Sequence, residues 1–189
     1  MDTLEPFLSV LRRNIEAGGW VLSGLQKTTS YEYDGAWEGG TLRSAYGFFH
    51  LAGDGNGEGP SLEAFVDEAE TSLDGTLSLV MKAPGPERVP GVADLMEVAL
   101  SLVERTVPEG IPAPVSVTYS SSPGRTGPES VDATVRFRAR VPGSAVQGGE
   151  RTIRAVTCTI LEAFEEVRRG WALESPMGAA PTDGASSGP

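Results

Sequence analysis

Three arginines, Arg136, Arg138 and Arg140, stand two residues apart, and Val135, Phe137, Ala139 and Val141 fall between and beside them. This alternation, which begins at Val131 and Ala133, has the period of a β-strand with one buried and one wet face. The three guanidiniums therefore project from a single face at intervals of about 6–7 Å, close to the phosphate step of an extended nucleic-acid strand. Val115, Val117 and Tyr119 alternate in the same way with Ser116, Thr118 and Ser120. The turn-forming stretch from Ser121 to Pro128 can return the chain antiparallel and lay the three hydroxyls beside the arginine row, as further donors to phosphate. Arg151 and Arg154 follow, so that between Thr134 and Arg154 five arginines meet one acid, Glu150, in a chain of net charge −11. The candidate anion-binding residues are thus Arg136, Arg138, Arg140, Ser116, Thr118, Ser120, Arg151 and Arg154.

Aromatic residues concentrate in another segment: Trp20, Tyr31, Tyr33, Trp37, Tyr46, Phe48 and Phe49 are seven of the thirteen in the chain. On strands, Tyr31 and Tyr33 share a face, as do Tyr46 and Phe48, and such rings can stack on unpaired bases. The competing reading is ordinary sheet chemistry, with the rings in cross-strand pairs and the arginines satisfied by Asp132, Glu129 or an acidic neighbouring strand.

Other chemistry has less support. His50 has no partner of the kind a general base needs, and no Gly-x-Ser-x-Gly supplies a nucleophile. Cys158, the single cysteine, falls beside an apolar helical stripe and reads as a small hydrophobe. Asp54-Gly55-Asn56-Gly57-Glu58-Gly59 imitates the first half of a calcium loop, but the twelfth position, where a bidentate Glu belongs, is Phe65. Phosphate-loop and dinucleotide patterns are missing, and one His with one Cys cannot build a zinc site. No metal, no cofactor and no enzymatic activity are expected. From Asp54 to Asp74 lie seven acids and no base, a run that suits a basic protein partner or a solvated face.

The elements that must position these residues follow from periodicity. Leu4, Phe7, Leu8, Leu11 and Ile15 mark an opening amphipathic helix, capped by Asp2 or Thr3 and stopped by Gly18-Gly19. Two strands between Trp20 and Ala52, joined through Asp34-Gly35 or Gly39-Gly40, come next. Ser61 then caps a short helix running to Glu70, and Thr76 to Lys82 forms a strand. Val92, Leu95, Met96, Ala99, Leu102 and Val103 predict a second long helix, and Ile153, Val156, Ile160, Phe164, Val167 and Trp171 a last one.

This order predicts an α+β fold, an antiparallel sheet built from hairpins with about three helices on one face. At 189 residues the chain suits a single domain over 1–172, with a division near 1–83 and 91–172 as the alternative, and a disordered Gly/Pro/Ala/Ser tail over 175–189. The acidic start, the lone cysteine and the absence of a long apolar run argue for a cytoplasmic protein without membrane contact. The expected function is non-enzymatic binding of an anionic partner, foremost single-stranded DNA or RNA without sequence readout, through the arginine-lined sheet face. The alternative is a homo-oligomeric or protein-interaction module whose copies meet through complementary charges.

Overall fold

The computed structural model describes residues 4–30, 42–53, 59–68, 73–83, 91–122 and 130–174. Its elements run α1 (Leu4–Ala17), β1 (Trp20–Ser30), β2 (Leu42–Leu51), β3 (Ser61–Glu68), β4 (Leu73–Ala83), α2 (Val92–Thr106), β5 (Val115–Ser122), β6 (Ser130–Val141), α3 (Gly143–Gln147) and α4 (Glu150–Glu174). The strands form one six-stranded sheet in the order β1-β2-β3-β4-β6-β5, and every neighbouring pair is antiparallel. The α+β class expected from the periodicity is the one observed, and strands from both halves of the chain share the sheet through the β4–β6 pairing.

Period-two alternation decides which face is covered. Leu62, Ala64 and Val66 of β3, Leu77, Leu79 and Met81 of β4, and Ala133, Val135, Phe137, Ala139 and Val141 of β6 are all buried. They meet the apolar stripes of the helices: Phe7, Leu11 and Ile15 from α1, Leu95, Ala99 and Leu102 from α2, and Ile153, Ile160, Phe164, Val167 and Trp171 from α4. Phe137 and Trp171 touch edge to face, with centroids 6.0 Å apart at 79°. Gly75 explains how closely α1 approaches β4, because a Cβ there would lie 3.0 Å from the Phe7 ring. The helices thus cover one side of the sheet, and no described helix lies on the other.

The expected helix from Ser61 to Glu70 is corrected to strand β3. Leu62, Ala64 and Val66 point one way and Glu63, Phe65 and Asp67 the other, and the segment pairs with β2 on one side and β4 on the other. Leu, Glu and Ala favour a helix locally, but two ladders of backbone hydrogen bonds and a buried face override that preference. A fourth, short helix, α3, also escaped the periodicity, having only five residues. The cap of α1 comes from an unexpected place: the Leu4 amide donates to Glu68 Oε1 at 3.1 Å, a partner 64 residues away. Asp2 and Thr3, the expected caps, lie outside the described residues, as do the β1–β2 turn, the loop from Asp54 to Glu58 and the C-terminal segment from 175.

Candidate functional site

The bare face is a lattice whose rows can be read from the strand register. One row runs Tyr46, Phe65, Thr76, Arg140 across β2, β3, β4 and β6. The next runs Phe48, Glu63, Ser78, Arg138, and a third His50, Ser61, Val80, Arg136 and on to Ser116 of β5. The arginine row and the aromatic pair of β2 therefore share one face, three strands or about 14 Å apart. Sequence spacing showed each group separately, and only the long-range strand order brings them together.

The rings form a cluster. Tyr46 meets Phe48 edge-on at 4.5 Å and 82°, and Phe65 at 5.7 Å and 67°. Phe48 and Phe65 remain 40% and 38% exposed, and Val21, opposite His50 on the same face, is 43% exposed. Gly24, opposite Phe48, leaves room for that ring to lie across β1, 3.6 Å from where a Cβ would stand. Tyr31, Tyr33 and Trp37 lie outside the described residues.

Between rings and arginines sits Glu63, which accepts from the Tyr46 hydroxyl at 2.7 Å and from Arg136 Nη2 at 3.1 Å. Arg140 Nη2 donates to Asp74 Oδ1 at 2.5 Å, and Ser44 Oγ to Asp67 Oδ1 at 2.6 Å. Two of the three row arginines are therefore tied to acids of β3 and β4, as the competing sequence reading held. Arg138 is exposed and has no ion partner among the described residues. The acidic run is drawn inward in the same way: Glu63, Asp67 and Asp74 serve this face, and Glu68 serves the other. The other three members, Asp54, Glu58 and Glu70, lie outside the described residues, and all four described acids of the expected surface for a basic partner are engaged by partners within the chain.

The other expected site residues separate. Ser116 pairs with Arg136, but Thr118 pairs with Thr134 and Ser120 with Asp132, because β5 is displaced along β6 away from Arg138 and Arg140. Arg151 and Arg154 belong to α4, on the helix side of the sheet. His50 is half-buried between Val21 and Ser61, and Cys158 is a half-buried free thiol of α4. Among the described residues no cluster of His, Cys, Asp and Glu could hold a metal ion, and no helix is long and apolar enough to cross a membrane.

Burial pushes the Tyr46 phenol up from its ordinary 10.0 to about 12, helped by its hydrogen bond to Glu63 and by that carboxylate's charge, while Arg136 and Arg138 pull it down. The folded protein therefore favours the neutral phenol. The stability this adds is present below the unfolded value near pH 10 and is lost as the pH rises through about 12. Phenolate absorbance on alkaline titration should show a late component from Tyr46, and Tyr46→Phe should remove it.

Compared with known protein families, with curated proteins and with solved structures, the chain matches none.

Proposed function

We propose that the protein is a non-enzymatic, cytoplasmic binding module whose working surface is the helix-free sheet face, and that its partner there is a second copy of the chain. The observation that carries this reading is the part-exposed Tyr46, Phe48 and Phe65 cluster on β2 and β3, flanked on the same face by charges of both signs on β3, β4 and β6. An aromatic centre with Arg and a polar rim is the anatomy of a protein interface.

Electrostatics favour the same face. Its described side chains include four bases, Lys82, Arg136, Arg138 and Arg140, against three acids, Glu63, Asp67 and Asp74, in a chain of net charge −11. Two copies repel least where each is nearly neutral. The face is five inter-strand steps wide and about seven residues long, on the order of 24 Å each way. With side-chain relief that is the scale of a standard interface, about 800 Å² per partner. A two-fold arrangement stacks the two sheets about 10 Å apart, as in a β-sandwich, and offers Arg138 the acids or rings of the other copy.

Sedimentation velocity over about a hundredfold range of protein concentration tests this, since a dimer must form by mass action. Growth from the 19.8 kDa chain to twice that mass is expected. A monomer throughout overturns the reading.

Arg138, without an ion partner among the described residues and on the same face as two part-exposed rings, favours single-stranded nucleic acid as a second reading. Because Arg136 and Arg140 are held by Glu63 and Asp74, Arg138→Ala should account for most of the salt dependence. It should lower the slope by about 0.7 log unit, and adding Arg136→Ala and Arg140→Ala should change it little further. Anisotropy of a labelled oligonucleotide measures this, and an unsaturable or salt-independent signal removes nucleic acid from consideration.

A further inference from the structure

Strand register gives the helix-free face an order that decides how a second copy can sit on it. The β2 column is one of rings, Tyr46, Phe48 and His50, and the β6 column is Arg140, Arg138 and Arg136, matched row for row. Two strands separate the columns. In the same three rows β3 contributes Phe65, Glu63 and Ser61, and β4 contributes Thr76, Ser78 and Val80. Relief differs between the strands: Phe48, Phe65, Arg138 and Arg140 are exposed, whereas Ser78 and Val80 of β4 are buried.

Two copies of a twisted sheet can stack face to face about a two-fold axis that runs either along the strands or across them, and in both cases the twisted surfaces stay parallel. An axis across the strands lays β6 on β6, whichever row it follows. The arginine columns then face each other across a sheet spacing of about 10 Å, and Arg138, which has no ion partner among the described residues, meets only more positive charge. An axis along the strands, between β3 and β4, lays β2 of each copy on β6 of the other. Arg138 then lies over Phe48, Arg140 over Tyr46 and Arg136 over His50, each pairing made twice. A guanidinium over an aromatic face is attracted to it, and more so where water is excluded. On the inner strands Phe65 falls on Thr76 and Glu63 on Ser78, a large side chain against a small one each time.

We infer that the two sheets stack about a two-fold axis running along the strands between β3 and β4, so that the ring column of each copy covers the arginine column of the other. The inference rests on the reading that the partner is a second copy. It makes Arg138 the residue that selects the orientation, through the Phe48 ring of the other copy.

Val21 and Ser116 stand at opposite ends of the third row, on the edge strands β1 and β5. The inferred axis brings Val21 of one copy over Ser116 of the other, at about the sheet spacing, and holds like positions about 24 Å or more apart. In a Cys158→Ala background, Val21→Cys and Ser116→Cys chains of different tag length are mixed and treated with a bismaleimide matched to the sheet spacing. Links between position 21 of one chain and position 116 of the other are expected. Links between like positions, or no link in a sample that sedimentation shows to be dimeric, overturn the axis and leave the dimer standing. A sample that is monomeric throughout overturns the dimer and the axis with it. Charge gives a second readout: Arg138→Glu should bind the wild-type chain at least about tenfold more weakly than the wild type binds itself. A mixed pair tighter than wild type, as an axis across the strands requires, overturns the inference.

Discussion

Replacing Phe48 and Phe65 together with serine weakens self-association by at least about a hundredfold, or about 2.7 kcal/mol. Two rings 40% and 38% exposed are the apolar surface that a second sheet would cover, and buried aromatic anchors commonly cost 2 kcal/mol or more each when truncated. Folding should tolerate the change, because both rings stand on the wet face and the core on the helix side is untouched. Sedimentation velocity reads the association and thermal unfolding reads the fold. Leu173→Ser is the matched control: Leu173 is 83% exposed at the end of α4, on the opposite side of the molecule from this face, and its loss should leave the association unchanged. Raising the salt should weaken the dimer only slightly, since Arg136 and Arg140 already have partners within the chain. A double variant that still dimerises places the contact elsewhere, for instance at the open edge of β1, and ends the proposal.

The course of this face shows what local sequence carries. Alternation of Val135, Phe137 and Ala139 with Arg136, Arg138 and Arg140 was enough to place a half-buried strand, because a period of two has one structural solution when one face is buried. The helical stripes of α1, α2 and α4 were legible for the same reason at a period of 3.6. Partners across the sheet were not legible. Nothing near Arg136 in sequence points to Glu63, which lies 73 residues earlier and reaches it over β4. The segment from Ser61 to Glu70 reads as a helix because Ser61 is a good cap after a Gly-rich loop and Leu, Glu and Ala favour helix locally. The one local sign of a strand was the strict alternation of Leu62, Ala64 and Val66 with Glu63, Phe65 and Asp67. The register of β5 against β6 was likewise beyond local reading: Thr118 and Ser120 pair with Thr134 and Asp132 instead of arginines. A hairpin's pairing depends on its turn as well as its strands.

Replacing Glu68 with alanine lowers the free energy of unfolding by about 3 kcal/mol. Glu68 is 8% exposed and sits on the helix side of β3, directly opposite Arg43 of β2. One carboxylate oxygen accepts from Arg43 Nε at 2.6 Å and from the same guanidinium's Nη2, while the other accepts from the Leu4 amide at 3.1 Å. Truncation removes the acceptor that these two donors share. Breaking a fully buried ion pair costs about 3–5 kcal/mol, and losing a helix cap about 0.5–2 kcal/mol. The lower end of the combined range is the expected one, because the Arg43 side chain is 31% exposed and recovers part of its hydration. Glu68→Gln keeps an acceptor for Leu4 but loses the charge, and should cost about half as much. Chemical denaturation measures all of these. The informative comparison is the double variant Arg43→Met with Glu68→Leu, which removes both charges and fills the space with apolar side chains. It should be more stable than Glu68→Ala, because the guanidinium that loses this carboxylate is removed with it. Equal losses in the two would mean that the cap on Leu4, rather than the ion pair, ties α1 to β3.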